Sequence, residues 1–503
     1  MTWLYDFFAG PLNTVAWIYI LLPCVFVGGL YFTIGTGAVQ FRRFGYAMKN
    51  TIGKMFKKTE AEPGAVTPLQ AVTTALAATV GTGNIVGTSQ AIALGGYGAI
   101  FWLWLAALLG MVIKFAEVTL SVRFREKDEK GDWVGGPMYY IKNGLGPKWK
   151  WLAVLFCIFA ILASFGIGNM SQANSIMDSI KNAILAFNPD VTNTAAIEWG
   201  VGIFLAVVTA AVLFGGIKRI GAVTEKFIPF MSALYIIFTL IVIGSNIGGI
   251  IPGLKMIVVG AFSPQAVLGA GSGIALKNAL IWGLRRSAFS NEAGLGSAAI
   301  AHAAAQTEGP VQQGVFGIFE VFMDTIVICT LTGFVVVMGH CWLGDGGEAW
   351  MALDKLPMFT ESIAALTPGT ALNAVMSVLV SLCFCLFAYT CLIGMISFSE
   401  IAANRIKQNM GFINAIRIIA LAVATFGILC NIAGLELGNL WAFSDLGNIL
   451  IVFFNVPIIY VGAKYVFKAT AHYKKDDGTP FTSAVIDRDD CQYWDERAKN
   501  DEI

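Results

Sequence analysis

Apolar runs of about 20 residues recur along the whole chain, broken by short polar connectors, and each run is long enough to cross a ~30 Å bilayer core as a helix. Reading these runs together with their flanking charges predicts eleven spans, near 14–38, 68–93, 98–122, 151–177, 198–217, 224–247, 273–304, 314–340, 371–402, 412–434 and 440–467. Lys and Arg gather on alternate connectors. The first cluster is Arg42, Arg43, Lys49, Lys54, Lys57 and Lys58, and the second runs from Arg123 and Arg125 to Lys148. Later clusters are Lys218, Arg219 and Lys226, then Arg405 and Lys407, then Lys468, Lys474 and Lys475. The excess of basic residues on cytoplasmic loops then sets the N-terminus outside and the C-terminus in the cytoplasm. The connector 305–313 belongs to the basic side yet carries neither Lys nor Arg. "MTWLYDFFAG" has no basic residue ahead of its apolar run, so the first span is expected to be retained rather than cleaved as a signal.

Two of the spans are unlike the others. The second contains "VGTGNIVG", residues 80–87, with three glycines and an asparagine inside an apolar segment. Each Gly costs a helix interior about 1 kcal/mol relative to Ala, so an interruption is expected at 81–84. The seventh carries Arg285, Arg286, Asn291 and Glu292 together with glycines. Such residues are expensive at membrane depth and normally face a cavity or a partner.

With the first span set aside, ten remain, in two sets of five that each open on an interrupted helix. A five-span unit has odd parity, so its second copy enters from the opposite face: an inverted repeat. The expected units are 1–67 (extra helix and basic loop), 68–247, 248–467 and a polar tail 468–503 without a core of its own. Transporters of this plan bind substrate near the midplane, where the discontinuous helices meet. Amides opening the half-helix after the first break, around Gly83, Asn84 and Ile85, suit a carboxylate. The carbonyls freed before it suit a monovalent cation or an ammonium group. Close helix packing is the plainer reason for such glycines, but Thr82 and Asn84 between them argue for a site.

Composition narrows the class. Of 503 residues 56% are hydrophobic and 13% charged, against about 25% charged in a soluble domain; the chain is an all-α polytopic membrane protein. Balanced charge, 33 basic against 32 acidic residues, offers nothing to nucleic acid. Nine cysteines form no CxxC pair, and "CFC" at 383–385 has the wrong spacing for zinc, so packed thiols are expected. No HExxH motif and no nucleophile–His–acid set speaks for an enzyme, and no filter repeat for an ion channel.

Three blocks, "GTGNIVG" (81–87), "GGYGAIFWLWLAALLG" (95–110) and "WGLRRSAFSNEAGLGSAAIAHAAA" (282–305), together resemble the alanine or glycine:cation symporter family, the sodium:alanine symporters of bacteria and archaea. Leu103 stands where that family usually has Met, a swap that keeps volume and apolarity. The resemblance covers essentially the whole chain. It implies a leucine-transporter-type fold of 5+5 inverted repeats behind one extra helix. It further implies sodium-driven import of alanine or glycine across the cytoplasmic membrane by alternating access, with Na⁺ as coupling ion and no organic cofactor.

Under that reading Thr82, Gly83 and Asn84 take the substrate carboxylate, and Trp282, Gly283, Phe289 and Ser290 flank the second break and close over a small side chain. The fourth span matches a gating helix, on which Phe165, Asn169 and Gln172 share one face at i, i+4 and i+7. Phe165 is a lid or an ordinary packing residue. Carbonyls near Ala78 and Gly81, with Ala388 and Thr390 across from them on the ninth span, are the sodium candidates, although Thr390 can instead bond back to its own helix. Glu292 and Asp324 are expected at depth, paired structurally, with Arg285 or Arg286 among the candidate partners; proton coupling through either acid is the rival mechanism. His302, with no acidic residue beside it in sequence, reads as packed. Membrane lipid is the expected surround of the whole, with possible anionic-lipid contacts at the basic loops.

Overall fold

The computed structural model describes residues 15–54, 61–129, 131–187, 194–262, 272–342, 353, 355–367, 369–433, 438–475, 479–488 and 492–499. The helices are α1 (Trp17–Thr36), α2 (Phe44–Thr51), α3 (Pro68–Thr79), α4 (Thr88–Gly95), α5 (Ala99–Arg123), α6 (Pro147–Leu185), α7 (Ala195–Leu213), α8 (Gly216–Ser245) and α9 (Ile250–Phe262). They continue as α10 (Ser272–Asn291), α11 (Ser297–Ala303), α12 (Pro310–His340), α13 (Lys355–Leu366), α14 (Thr370–Ile406), α15 (Met410–Ile432), α16 (Gly438–Lys475) and α17 (Gln492–Lys499). One small hairpin, β1 (Glu126–Lys127) with β2 (Trp133–Val134), is antiparallel.

Among the described residues nine helices are long and apolar enough to cross a membrane: α1, α5, α6, α7, α8, α12, α14, α15 and α16. The second span is absent from that set because it is interrupted, as α3/α4; of the seventh, split into α10 and α11, α10 has the length but carries Lys277, Arg285 and Arg286, and α11 is short. Two further helices, α9 and α13, lie in stretches where the apolar pattern placed no span. At 13 and 12 residues and 1.5 Å per residue they reach only about 20 Å, below the length that marks a crossing.

α1 and α16 run side by side in the same direction. Tyr460 Oη donates to Cys24 O (2.7 Å), the Phe32 and Phe467 rings lie 5.6 Å apart, and Lys474 Nζ donates to Thr36 O. Helices aligned in parallel at the two ends of the chain require an odd number of crossings. Outward faces are apolar, as on α7 (Ile203, Phe204, Val207) and α8 (Ile237, Leu240, Ile241), which is the surface a lipid environment favours.

The C-terminal segment departs from expectation. Phe481, Ile486 and Trp494 are buried, and α17 docks under the hairpin, its Tyr493 ring 4.5 Å from that of Trp133. The tail is not a bare extension: it packs three apolar side chains against the basic end of the helical body rather than building a core of its own.

Candidate functional site

α3 starts on a reciprocal cap. Thr67 Oγ1 accepts from Gln70 N–H (3.1 Å), Gln70 Oε1 accepts from Thr67 N–H (3.0 Å), and Pro68 occupies the first turn, where no amide is needed. Regular bonding runs until Val80 N–H reaches Leu76 O at 2.8 Å. There Val80 turns extended (ψ 93°) and Gly81 N–H donates to Asn84 Oδ1 (2.9 Å) instead of continuing the helix. A wide π-type turn, Gly83–Gly87, leads into α4. The first interruption thus falls at Val80–Thr82, inside the glycine-rich motif.

The second falls later than the sequence suggested. α10 runs unbroken through Trp282, Gly283, Phe289 and Ser290 to Asn291, and the chain unwinds at Glu292–Gly296, with φ of 54° at Glu292, 98° at Gly294 and 81° at Gly296. Left-handed backbone of this kind favours Gly, which explains the two glycines. Trp282 and Gly283 therefore do not flank the break. A Cβ on Gly283 would sit 2.3 Å from Ala99 O, so this glycine lets α10 approach α5. Trp282 carries the guanidinium groups of Arg285 and Arg286 at 5.1 and 5.4 Å from its ring centroid.

α12 ties the two interrupted helices together. Asn84 Nδ2 donates to Asp324 Oδ1 (2.6 Å), to Asp324 O (3.1 Å) and to Ser290 Oγ (3.0 Å). Asp324 Oδ2 accepts from Ser290 Oγ (2.8 Å) and Thr325 Oγ1 (2.7 Å). The Asn84 side chain, expected to face a substrate carboxylate, is thus engaged within the protein, and its backbone amide closes on Gly81 O at 3.3 Å. Ser290 is held in the same way.

Unspent polar capacity lies beside this knot. Thr82, Asn169 and Gln172 are each at most 3% exposed, yet among the described residues Thr82 Oγ1, both amide atoms of Asn169 and Gln172 Oε1 have no hydrogen-bond partner. Gln172 Nε2 lies 3.8 Å from where a Gly81 Cβ would be, and the Phe289 ring 3.4 Å from where a Gly83 Cβ would be. A buried polar group left unpaired costs about 1–3 kcal/mol; Thr82 sits in the first break and Gln172 beside it, and Asn169 is three residues before Gln172 on α6. Asn169 ends a second wide turn, Ser164–Met170 in α6, which shifts the helix phase, so the regular i, i+4, i+7 alignment does not hold across it. Phe165 is half-buried against both apolar clusters.

The sodium candidates divide. Ala78 O accepts from the Cys391 thiol at 3.0 Å, and Cβ atoms on Gly81 and Gly394 would lie 3.0 Å from Cys391 and from Ala78 respectively. The face of α14 that meets the first break is therefore Cys391/Gly394. Ala388 and Thr390 lie off it on either side: Ala388 packs with Ala173 and Ile176, while Thr390 Oγ1 donates to Leu386 O (2.9 Å) and meets Met231 Sδ (3.3 Å).

Around the second break lies a charged network that the motif reading missed. Lys114 Nζ sits 3.4 Å from Glu320 Oε1 and donates to Glu292 O at 3.3 Å. His302 Nε2 pairs with Glu320 Oε2 at 3.2 Å and its Nδ1 with Gln313 Nε2 at 2.8 Å, so His302 does have an acidic neighbour. Asn455 Nδ2 donates to Glu117 Oε1 (2.7 Å) and Gly294 O (2.8 Å), and Ser297 Oγ donates to Glu292 Oε2. The partner of the Glu292 carboxylate found here is thus Ser297 rather than an arginine. Lys114, Glu117 and Glu320, i, i+3 on α5 and facing it on α12, stood in the sequence as charges inside apolar runs, which was the available signal.

Two interrupted helices strapped to α5 and α12, meeting α6 and α14 across buried, unpaired polar groups, define a multi-pass transporter. The fold matches MhsT, solved in complex with L-phenylalanine, at a TM-score of 0.58 and 14% identity over 85% of this chain and 96% of that one. A profile of the sodium:alanine symporter family matches residues 1–484. An uncharacterized transporter of Haemophilus influenzae is 38% identical across 88% of this chain and 91% of its own. The sodium/alanine symporter AgcS of Methanococcus maripaludis is 36% identical across 87% and 90%. The chain belongs to the sodium:alanine symporter family.

Proposed function

We propose that this protein is a sodium-coupled symporter that imports a small neutral amino acid, alanine or glycine, across the cytoplasmic membrane by alternating access. The observation that carries the reading is a set of buried polar atoms without partners: Thr82 Oγ1 in the first break, Gln172 Oε1 on the side chain beside Gly81, and the Asn169 amide one turn earlier on α6. Two amides and a hydroxyl both donate and accept, so they can serve the two ends of a zwitterion without introducing a net charge. Gly83 beside Phe289, and Gly81 beside Gln172 and Cys391, leave little space, which favours a small side chain; Phe165 closes over it. Asn84 and Ser290 hold the frame.

Sodium is assigned to the carbonyls released before the first break, Ala78 and Gly81, on the Cys391/Gly394 face of α14. Counting the two interrupted helices as crossings gives eleven, with repeats 68–247 and 248–467, the N-terminus outside and the basic end with the tail in the cytoplasm. The unit strapped by Asp324 and Lys114 then rocks against α6 and α14.

Uptake into proteoliposomes at fixed pH tests this. Alanine uptake should be saturable and stereoselective, and should vanish when external sodium is replaced by potassium. Uptake indifferent to sodium but collapsed by a proton ionophore would overturn the coupling, and binding of a panel of amino acids to the purified protein ranks the substrates.

A further inference from the structure

Both interrupted helices reach the basic end of the molecule, and there they are joined. Val66, just before the α3 cap, donates its N–H to Ala304 O (2.9 Å), and Gln306 N–H returns to Val66 O (2.8 Å). α11 ends at Ala303, where the last carbonyls of a helix lack intrahelical donors. Arg125 takes two carbonyls there, its Nη1 donating to Ala303 O (3.0 Å) and Ala305 O (2.6 Å). A cation at a helix C-terminus also interacts favourably with the helix dipole.

Arg125 is itself enclosed by aromatic rings. Its guanidinium lies 4.2 Å from the Trp133 ring centroid, and 5.3 Å from those of Tyr493 and of Trp494 on α17. The tail adds a second hold, Arg497 Nη1 donating to Thr307 O at 2.6 Å. It is fastened in turn by Ser483, whose N–H donates to Asp495 Oδ1 (2.7 Å), and by the Phe481 ring edge-on to Trp494 at 5.6 Å.

Alternating access requires this end to open at some stage; with the unit held together at depth by Asp324 and Lys114, α3 is the part free to swing on the first break, which parts its entry from α11. Arg125 stands at that seam with two of its three ring partners supplied by the tail. Without α17, the guanidinium keeps Trp133 but loses the cation–π contacts of Tyr493 and Trp494 and is opened to water, where screening weakens its hold on the carbonyls. We infer that the C-terminal tail is a latch on the gate at this end, and that Arg125 is the positioning residue through which it acts, biasing the transporter toward the state closed on this side. The inference rests on the alternating-access reading above and adds a part of the chain that no substrate-contact argument uses.

The test measures access to a small cavity between this gate and the site. The cavity, about 30 Å³, is lined by Ala160, Ser164, Ile300 and Met395 among others. Ala160→Cys is introduced in a full-length background freed of reactive native cysteines, and its alkylation by a membrane-impermeant maleimide is followed from the basic side. Each lost aromatic contact changes the open-to-closed ratio by roughly two- to fivefold, so removal of residues 479–503 is expected to raise the alkylation rate on the order of tenfold. Trp494→Ala and Arg497→Gln should each raise it by about two- to fivefold, and Trp494→Phe should restore the parental rate. Arg125→Gln should match the truncation. Equal rates in the parent, Trp494→Ala and Arg497→Gln, each with an unchanged unfolding profile, would overturn the latch even if the truncated chain fails to fold. Gln172→Leu separates the two readings: it should weaken substrate binding roughly 10- to 100-fold without altering the alkylation rate. Loss of the latch effect with binding intact refutes this inference alone, whereas intact binding in Gln172→Leu refutes the site.

Discussion

The two helix breaks differ in what they do with their freed polar groups. The first, at Val80–Thr82, has one charged neighbour, Asp324, bound to Asn84, and polar atoms of Thr82, Asn169 and Gln172 are buried without partners. The second, at Glu292–Gly296, is bordered by Lys114, Glu117, Glu320 and His302, and three neighbouring elements hold it: α5 through Lys114 at Glu292 O, α16 through Asn455 at Gly294 O, and Ser297 of α11 at the Glu292 carboxylate. One break has unspent polar atoms near it, and the other is held by its own chain. Interruption of a membrane helix is therefore not by itself the mark of a binding site; the mark is polar capacity that the fold leaves unused. Charge sorts the same way. A buried ion pair is a poor source of stability but costly to break, which suits a joint that must keep its shape, whereas the proposed site relies on neutral amides, which bring no charge of their own.

The largest effect is expected where the two breaks share a residue. Asp324 accepts from Asn84 and Ser290, one on each interrupted helix, and from Thr325. Asp324→Ala takes the carboxylate from all three donors; Asn84 keeps Asp324 O and Ser290 Oγ, but the Thr325 hydroxyl loses its acceptor at about 1–3 kcal/mol and the tie between the two helices is cut, so uptake in proteoliposomes should fall to background and the thermal midpoint in detergent should drop. Uptake within tenfold of the parent would mean that the breaks are not coupled through this carboxylate.

Next comes the comparison itself, in two substitutions of opposite character. Lys114→Met leaves Glu320 buried without its ammonium partner and should destabilise by about 3–5 kcal/mol, read as lost monodispersity and a lower unfolding midpoint. The double variant with Glu320→Gln should recover at least half of that. Gln172→Leu, by contrast, removes an amide whose oxygen has no partner. Substrate affinity should fall roughly 10- to 100-fold, the equivalent of one or two good hydrogen bonds, while the unfolding midpoint stays level or rises. Were Gln172→Leu to unfold the protein, or Lys114→Met to weaken binding in a fully stable one, the division of labour between the breaks would be reversed.

Much of this arrangement was legible in the sequence, and the parts that were not have a common physical cause. "GTGN" marked the first break because glycines and polar residues interrupt an apolar run, a local signal. The second is expected between Gly283 and Phe289 but lies at Glu292–Gly296, because Gly283 with Arg285 and Arg286 imitates such a signal. Gly283 is small for a different reason, the close crossing of α5, which is a tertiary fact. The true break had its own signature in "NEAGLG", where Gly294 and Gly296 take left-handed backbone. Lys114 and Glu117 could be seen as charges within a span, but their partners lie far along the chain, Glu292 being 178 residues away from Lys114. Pairing over such separations leaves no periodicity to read. The tail was taken for a bare extension on its composition, and its few aromatics, Phe481, Tyr493 and Trp494, turned out to be what docks it.

The smallest expected effect concerns the residue that the family pattern favoured and the geometry does not. Thr390 was a candidate for the sodium site opposite the first break. Its hydroxyl donates to Leu386 O and Phe387 O of its own helix, and its side chain turns toward Met231 of α8, while Cys391, one residue on, meets Ala78. A hydroxyl bonded back to its own turn contributes little to helix stability, so Thr390→Val should leave both folding and the sodium concentration for half-maximal uptake within twofold of the parent. Bulk at the neighbouring position should act differently. Cys391→Val puts a branched, apolar side chain against Gly81, where a Cβ would already lie 3.0 Å from Cys391, and removes the donor to Ala78 O, so it should raise that sodium concentration about tenfold, consistent with the loss of about 1.4 kcal/mol. The reverse order, with Thr390→Val damaging and Cys391→Val silent, would move the cation off the Cys391 face and back to the one the family pattern implied.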